Sequence, residues 1–291
     1  MKLASYRSGN GNDFGIPIAG GFVSLKKRLG YPSLRDLLMD GALDRVRDVM
    51  RDEDPDARFS EVEFLPVIPD PNKFLCIGIN YREFAHQMER KVEVRPGLFS
   101  RFADTLVGHE QPIVRPKVSH QLDFEGELAV IIGKAGRYIS QRSAMEHVAG
   151  YSCFVDGSVR DYQKLSPTAG KNFPSTGPFG PWMVTADEIP DPAALHITTR
   201  LNGQVVQQSG TDMMIHSVAA LISYLSEITT LEPGDVISTG TPGGVGHRRQ
   251  PQLWLKSGDR LELEISGIGK LSNPIIDESI TQLNAATRER T

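Results

Sequence analysis

The chain lacks three features that would assign it to a class at once: a long apolar run, an excess of charge of one sign, and many cysteines. It has 291 residues, a formal net charge of -4 and two cysteines. No apolar run approaches the length of a transmembrane helix, and the first eight residues are too polar for a signal peptide, which predicts a cytoplasmic protein. Because the basic residues are dispersed, neither nucleic acid nor a membrane surface is expected as a partner.

The two cysteines, Cys76 and Cys153, lie inside apolar, strand-like segments. Free cysteine is among the most buried residue types, and disulfides are rare in a reducing compartment. We therefore expect two buried thiols rather than a disulfide.

Prolines mark one candidate domain boundary, at residues 66–71 (PVIPDP). Proline removes a backbone donor and biases the preceding residue toward extended backbone, as in a linker. The sequence predicts a small N-terminal α/β domain over residues 1–68 and a second domain over residues 69–291.

Strand-like segments outnumber helical ones beyond residue 68. This ratio predicts an α+β fold that is mainly β, not a doubly wound sheet. The predicted strands cover residues 74–79, 127–132, 151–155, 182–185, 195–201, 235–238 and 261–265, and the predicted helices cover 81–88, 143–147 and 216–225.

Two carboxylates stand at alternate positions where one of these strands begins. Glu125 and Glu127 precede the apolar run at residues 128–132. Residues i and i+2 of a strand point to the same face, so these side chains should share one partly dry site. Their mutual repulsion would be relieved by a bound hard cation, although a solvated acidic face is the simpler alternative.

A third carboxylate strengthens the metal hypothesis. Asp156 follows an aromatic and β-branched segment and precedes a glycine, which places it at a strand end. Three carboxylates without cysteine or histidine beside them favour Mg²⁺ or Mn²⁺ over zinc or copper, and Ca²⁺ is a further alternative.

The chain resembles the fumarylacetoacetate hydrolase superfamily over about residues 72–278. The order and spacing of several motifs carry the resemblance. They are residues 74–81 (FLCIGINY), 123–127 (DFEGE), 154–161 (FVDGSVRD), 170–173 (GKNF) and 239–246 (TGTPGGVG).

The resemblance implies a mixed β-sandwich roll, usually in a homodimer, and a catalytic role for several residues. It implies that Glu125, Glu127 and Asp156 are the metal ligands and that Lys171 lies at the substrate. It places Tyr81, Gly240 and Thr241 in the substrate pocket.

The glycine-rich segment at residues 240–246 is not a nucleotide loop. It lacks the lysine and the serine or threonine of a P-loop, and no amphipathic helix follows it. A turn that brings backbone amides to a substrate carboxylate fits better, and a plain tight turn is the alternative.

Two cations are candidates for binding substrate charge. Lys171 could stabilise an oxyanion or enolate, or it could be an exposed lysine beside Asn172. Arg160 could hold a substrate carboxylate through two hydrogen bonds, or it could form a structural ion pair with Asp161.

The catalytic base is where the sequence departs from the family pattern. Hydrolytic members carry a His and a Glu on a short lid helix, at the positions that Phe84 and Gln87 occupy here. His86 and Glu89 have the same i, i+3 spacing and are the candidate replacements. A displacement by two residues turns a helix by about 200°, so they would need a shift of the helix. The polar residues 89–104 after them are consistent with a loop that orders over substrate.

A 2-oxo acid chelates a divalent ion through its carboxylate and keto oxygens, and the ion then stabilises an enolate. We predict a metal-dependent hydrolase that cleaves a carbon-carbon bond in a 2,4-dioxo acid. The alternatives are an oxo-acid decarboxylase, tautomerase or hydratase, or an oxo-acid-binding protein without turnover.

Overall fold

A computed structural model describes residues 1–49, 54–89 and 94–279. The strands are β1 (Lys2–Ser8), β2 (Gly11–Ile18), β3 (Gly21–Ser24), β4 (Ala57–Arg58), β5 (Glu63–Phe64), β6 (Phe74–Gly78), β7 (Gly97–Ser100), β8 (Leu106–Val107), β9 (Ile113–Arg115), β10 (Leu122–Asp123), β11 (Gly126–Ile132), β12 (Val148–Val155), β13 (Ser158–Val159), β14 (Gly177–Thr185), β15 (His196–Leu201), β16 (Gln204–Gly210), β17 (Val236–Ser238), β18 (Arg260–Ile265) and β19 (Gly269–Asp277).

Helices are short and connect the strands. The α-helices are α1 (Leu25–Leu29), α2 (Leu34–Met39), α3 (Leu43–Arg47), α4 (Arg82–Gln87), α5 (Arg160–Gln163), α6 (Pro167–Lys171) and α7 (Val218–Ile228). Turns of 3-10 helix cover Phe59–Glu61, Ala103–Thr105, Ala144–His147, Ala186–Glu188, Pro192–Ala194, Thr211–Met213 and Gly246–Arg248.

The strands form one large sheet, one smaller sheet and a two-stranded pair. The large sheet has the order β4-β3-β2-β1-β14-β12-β11-β17-β6-β7, with β5 beside β1 and β8 beside β14. The smaller sheet has the order β16-β15-β18-β19-β9, and β10 pairs with β13. Parallel pairs (β8 with β14, β6 with β17, β9 with β19) occur among antiparallel ones. The predicted α+β, mainly β class is confirmed.

The two larger sheets approach each other closely where β11 begins. A Cβ on Gly126 would lie 2.3 Å from Thr199 Oγ1 and 2.9 Å from Leu263 Cδ1, both in the smaller sheet. Only glycine leaves room for this contact. All residues of β11 and β12 are buried, which explains their nearly continuous apolar sequence.

All seven strands predicted beyond residue 68 are present within a few residues of their predicted bounds. Two other predictions need correction. The helix predicted at residues 143–147 is a 3-10 turn at Ala144–His147. The stretch 89–104, predicted as a polar loop, contains strand β7, which pairs with β6, while residues 90–93 lie outside the described residues.

The predicted N-terminal domain packs directly on the predicted second domain. Strand β1 pairs with β14, with Leu3 opposite Met183. One hydrophobic cluster contains Leu3 and Phe14 together with Phe154 and Phe179. The division at residue 68 therefore separates two segments that share a sheet and a core, and it stays a prediction.

None of the helices within the described ranges has the length and hydropathy needed to cross a membrane. Cys76 and Cys153 are buried and unpaired, which confirms the expectation of two free thiols. The homodimer and the cytoplasmic location stay predictions.

Candidate active site

Strand pairing brings the three predicted metal ligands together. Glu125 immediately precedes β11, Glu127 lies inside it, and Asp156 immediately follows β12. These strands are antiparallel neighbours, with Gly126 opposite Val155. The amide of Asp156 donates a hydrogen bond to the carbonyl of Glu125 at 2.9 Å. The start of one strand thus lies beside the end of the next.

The three carboxylates form a compact buried cluster. One oxygen from each of Glu125, Glu127 and Asp156 lies within 4.8 Å of the others. The residues are 6%, 2% and 0% exposed, respectively. The prediction that Glu125 and Glu127 share a dry site is confirmed, and the alternative of a solvated acidic face is wrong.

Donors hold the carboxylates of the cluster in place. Arg101 Nη1 lies 2.7 Å from Asp156 Oδ1. Glu127 Oε2 accepts hydrogen bonds from the Ser238 hydroxyl and, at 2.8 Å, from the Gly240 amide. These fixed donors orient the carboxylates before any ligand binds.

Lys171 supplies the cation closest to the cluster. Its Nζ lies 2.6 Å from Glu125 Oε2 and 2.5 Å from Asp156 Oδ2, and the residue is 1% exposed. It is the last residue of α6, a helix capped by the Ser166 hydroxyl and begun by Pro167. The alternative of an exposed lysine is wrong.

The buried charges perturb one another strongly. Burial, and then the charges of Asp156 and Glu125, raise the pKa of Glu127 well above its ordinary value. Burial alone would raise the pKa of Glu125, but Lys171 and Arg160 hold that pKa below its usual range. Burial would lower the pKa of Lys171, but Asp156 and Glu125 raise it. Glu127 is thus the carboxyl of the cluster whose burial and negative neighbours are not offset by nearby positive charge.

The cluster fits a hard divalent cation. Its donors are all carboxylate oxygens, which such ions prefer, and the raised pKa of Glu127 shows that one carboxylate there is not fully compensated. A cation bound to all three oxygens would relieve that deficit. Among the described residues, this is the one group of acidic, histidine or cysteine side chains arranged as metal ligands.

Arg160 lies beside the cluster and is engaged by protein carboxylates. Its Nη2 lies 2.6 Å from Glu125 Oε1 and its Nε lies 2.8 Å from Asp123 Oδ2. The suggested pair with Asp161 is wrong, because Asp161 accepts from the Ser119 hydroxyl instead. A role in binding substrate stays a prediction.

The glycine-rich loop, residues 240–246, closes over the start of β11. Gly240 and Gly244 have φ values of +94° and +102°, which favour glycine. Thr241 Oγ1 donates to the carbonyl of Gly126 at 3.0 Å and accepts from Gln207 Nε2 at 2.9 Å. Gly240 and Thr241 are thus at the cluster, and their contact with substrate stays a prediction.

Tyr81 is fully buried, and its hydroxyl has no hydrogen-bond partner among the described residues. Burial, and then the charge of Glu127, raise its pKa, so the hydroxyl remains protonated. The Tyr81 hydroxyl is thus a buried donor without a partner among the described residues, within electrostatic range of Glu127. Its predicted role in substrate binding is not tested.

Helix α4 corresponds to the predicted lid helix, and it carries His86 but ends before Glu89. His86 and Glu89 are exposed, and Phe84 is buried in the hydrophobic core. Gln87 Oε1 accepts a hydrogen bond from the Gly244 amide at 3.2 Å. The helix therefore contacts the glycine-rich loop through Gln87. The expectation that His86 and Glu89 share one helical face is wrong, because α4 ends at Gln87 and Glu89 lies beyond it with a φ of +53°.

Sequence reasoning missed three residues around the cluster: Arg101, Asp123 and His247. Asp123 carried a signal, because it continues the alternation of Glu125 and Glu127. Arg101 carried none, since it lies in the stretch predicted to be a loop. His247 adjoins the glycine-rich loop and contacts Asp123 at 2.9 Å.

The chain is similar to known proteins over most of its length. Residues 73–276 match the model of the C-terminal domain of fumarylacetoacetate hydrolase. The mitochondrial oxaloacetate tautomerase FAHD2A is 40% identical over 241 residues in Bos taurus, covering 81% of this chain and 77% of that protein. Its Homo sapiens counterpart is 41% identical over 221 residues, covering 75% and 70%.

Two solved structures share the fold. A fumarylacetoacetate hydrolase from Exiguobacterium antarcticum aligns with a TM-score of 0.81 and 34% identity, covering 96% of this chain and 100% of that one. The maleylpyruvate hydrolase of Sphingobium sp. SYK-6, with manganese(II) and pyruvate, aligns with a TM-score of 0.78, 26% identity and the same coverage. The chain belongs to the fumarylacetoacetate hydrolase family.

Proposed function

We propose that this protein is a divalent-metal-dependent tautomerase that interconverts the keto and enol forms of a 2-oxo acid of the oxaloacetate type. The observation that carries the proposal is the buried cluster of Glu125, Glu127 and Asp156 with Lys171 in direct contact. Mg²⁺ or Mn²⁺ is the proposed metal, with Ca²⁺ as a weaker candidate, because the donors are oxygens alone.

The proposed ligands, Glu125, Glu127 and Asp156, would hold the ion. When bound, the ion supplies a Lewis acid that polarises the keto group of a chelating 2-oxo acid and lowers the cost of the enolate.

The chain's own residues supply charge and proton donors. The ammonium of Lys171, fixed between two carboxylates, adds positive charge where the enolate oxygen develops, and it can hold a proton there. The protonated hydroxyl of Tyr81 offers a second donor. Burial of these groups excludes water and strengthens each interaction.

The exposure of the predicted base, His86 with Glu89, favours tautomerisation over hydrolysis. Hydrolysis of a 2,4-dioxo acid requires a base that directs water at a carbonyl. His86 and Glu89 are exposed, and the core packs around Phe84. Tautomerisation needs only the stabilised enolate and a proton transfer. The similarity to oxaloacetate tautomerases supports the same choice.

The test follows the enol absorbance of oxaloacetate after enol is added to the protein, with the uncatalysed rate subtracted. We expect Mg²⁺ or Mn²⁺ to support rapid conversion and EDTA to abolish it. Acylpyruvate hydrolysis and pyruvate release from oxaloacetate are measured in parallel. If either of these reactions is faster than tautomerisation, the proposal is wrong and a hydrolase or decarboxylase replaces it.

Asp156→Asn tests the metal site directly. It keeps the size of the side chain but removes one charged ligand, so Mn²⁺ affinity and tautomerisation should fall together. Asp277→Asn is the matched control, because Asp277 lies in a half-exposed surface pair with Arg115. It should behave like the wild type.

A further inference from the structure

His247 and Arg160 share one oxygen of a buried carboxylate that is not among the proposed metal ligands. His247 Nδ1 lies 2.9 Å and Arg160 Nε lies 2.8 Å from Asp123 Oδ2. Asp123 is completely buried. Neither the metal cluster nor the proposed chemistry accounts for His247.

Five donors converge on Asp123. Its Oδ1 accepts from the amides of Gly246 at 2.7 Å and Phe124 at 2.8 Å. Its Oδ2 accepts from the amide of His247 at 3.1 Å, in addition to the His247 ring and Arg160. A carboxylate with so many charge-assisted hydrogen bonds is fixed in one orientation.

Arg160 connects Asp123 to the metal cluster. The same guanidinium that contacts Asp123 through Nε contacts Glu125 Oε1 through Nη2, at 2.6 Å. Because the guanidinium is planar and rigid, fixing one of its edges fixes the direction of the other. The position of Glu125 therefore depends on the position of Asp123.

The glycine-rich loop is attached to the same strand region at both ends. Gly240 donates to Glu127, and Gly246 and His247 donate to Asp123. At the Gly246 end of the loop, two of the three hydrogen bonds to Asp123 come from backbone amides, and the third comes from the ring of His247. Its side chain is 18% exposed, so the loop end is held at the border of solvent.

We propose that His247 is a positioning residue for the metal centre: its Nδ1–H fixes Asp123, Asp123 aligns Arg160, and Arg160 holds Glu125 ready to bind the ion. This inference rests on the proposed metal-dependent function. It assigns His247 no direct contact with substrate.

The protonation of the ring follows from its partner. Asp123 receives five hydrogen bonds, one of them from the Arg160 guanidinium, which is the pattern of an ionised carboxylate. An anion accepts hydrogen bonds only, which places the ring proton on Nδ1. The positioning contact thus needs only the Nδ1–H of the ring.

Two substitutions separate positioning from direct acid–base catalysis. His247→Phe keeps a ring but removes the donor. His247→Asn places an amide N–H at the same distance from the backbone as Nδ1, and it cannot act as an acid or base at neutral pH. His196→Phe is the matched control, since His196 is exposed at the start of β15.

Mn²⁺ affinity is measured by electron paramagnetic resonance, and kcat with oxaloacetate is measured at saturating Mn²⁺ over a range of pH. Residues that orient metal ligands typically change metal affinity by about 10–100-fold, and we expect His247→Phe to weaken Mn²⁺ binding about tenfold because it acts through two other residues. We expect His247→Asn to restore the affinity, and kcat at saturating Mn²⁺ to keep the wild-type pH profile in both variants.

Two results would overturn the inference. One is Mn²⁺ affinity in His247→Phe equal to that of wild type and His196→Phe. The other is a His247→Asn variant that binds Mn²⁺ normally but loses a limb of the pH profile, which would make His247 an acid–base residue. Circular dichroism of each variant checks the fold. If wild type binds Mn²⁺ but does not tautomerise oxaloacetate, the proposed function fails while the affinity comparison still decides the role of His247.

Discussion

Arg101 and Asp156 form a completely buried ion pair, in which Arg101 Nη1 lies 2.7 Å from Asp156 Oδ1. The guanidinium also donates to the hydroxyls of Thr105 and Thr176 and to the carbonyl of Gly157. Arg101 thus fixes one proposed metal ligand from a segment that follows β7. The metal centre depends on this part of the chain as well as on the strands that carry the carboxylates.

Arg101→Met should destabilise the metal-free protein, because it leaves Asp156 buried without this partner. Breaking a buried ion pair costs about 3–5 kcal/mol. Urea unfolding measures the change in free energy, and a calorimetric Mn²⁺ titration should show weaker binding in the same variant. Arg115→Met, in a partly exposed pair with Asp277, is the control and should cost only about 0–1 kcal/mol. Equal losses in the two variants would contradict a special role for Arg101.

Lys171→Met should reduce turnover far more than metal binding. Methionine keeps the length of the side chain but loses the cation that contacts Glu125 and Asp156. Removing one preorganised donor to a developing oxyanion typically lowers kcat by about 10²–10³, and we expect a loss of that order with oxaloacetate.

The measurement is kcat at saturating Mn²⁺, with Mn²⁺ affinity determined separately. Lys270→Met is the control, because Lys270 forms a half-exposed pair with Glu262. Wild-type turnover in Lys171→Met would exclude Lys171 from the chemistry.

The parts of the site that sequence could predict are those set by local periodicity. The alternation of Glu125 and Glu127 predicted their common face, the strand end predicted the position of Asp156, and the apolar runs predicted the strands that carry them. The family resemblance joined the three carboxylates into one set of metal ligands. These features depend on a few neighbouring residues.

Sequence could not predict contacts that depend on distant pairing. Arg101 reaches Asp156 only because the polar stretch around it contains β7, which pairs with β6. The exposure of His86 depends on which face of α4 packs on the core, and the burial of Phe84 decides that. The short i, i+3 spacing of His86 and Glu89 gave no information about that face.

Glu127 should make the stability of the metal-free protein depend on pH. Burial raises its pKa in the folded state above the ordinary value of 4.5, so the folded protein binds the proton more tightly than the unfolded chain does. The contribution of Glu127 is therefore fully present below pH 4.5 and is lost as the pH rises through the raised pKa. Glu125, whose pKa is lowered, acts in the opposite sense, and only below its ordinary pKa of 4.5.

We expect unfolding in urea, with EDTA present, to show this decline with rising pH, and Glu127→Gln to reduce it. Metal binding should also release a proton from Glu127, because a ligand must be ionised. Calorimetric Mn²⁺ titrations in two buffers of different ionisation enthalpy measure that proton. Identical heats in the two buffers at a pH below the raised pKa would show that Glu127 is already ionised before the metal binds.

His86→Ala tests the sequence prediction that His86 is a catalytic base. A positioned general base contributes about 10²–10⁴ to a rate, and the predicted hydrolase would lose that factor with a 2,4-dioxo acid substrate. Since His86 is exposed and Gln87 is the residue of α4 that contacts the glycine-rich loop, we expect unchanged tautomerisation of oxaloacetate and unchanged Mn²⁺ affinity. Glu89→Ala should give the same result. Rates for oxaloacetate and for an acylpyruvate are measured side by side. A loss of 10² or more in acylpyruvate hydrolysis, with tautomerisation retained, would show that α4 rearranges to bring His86 to the substrate, and the hydrolase prediction would then replace our proposal.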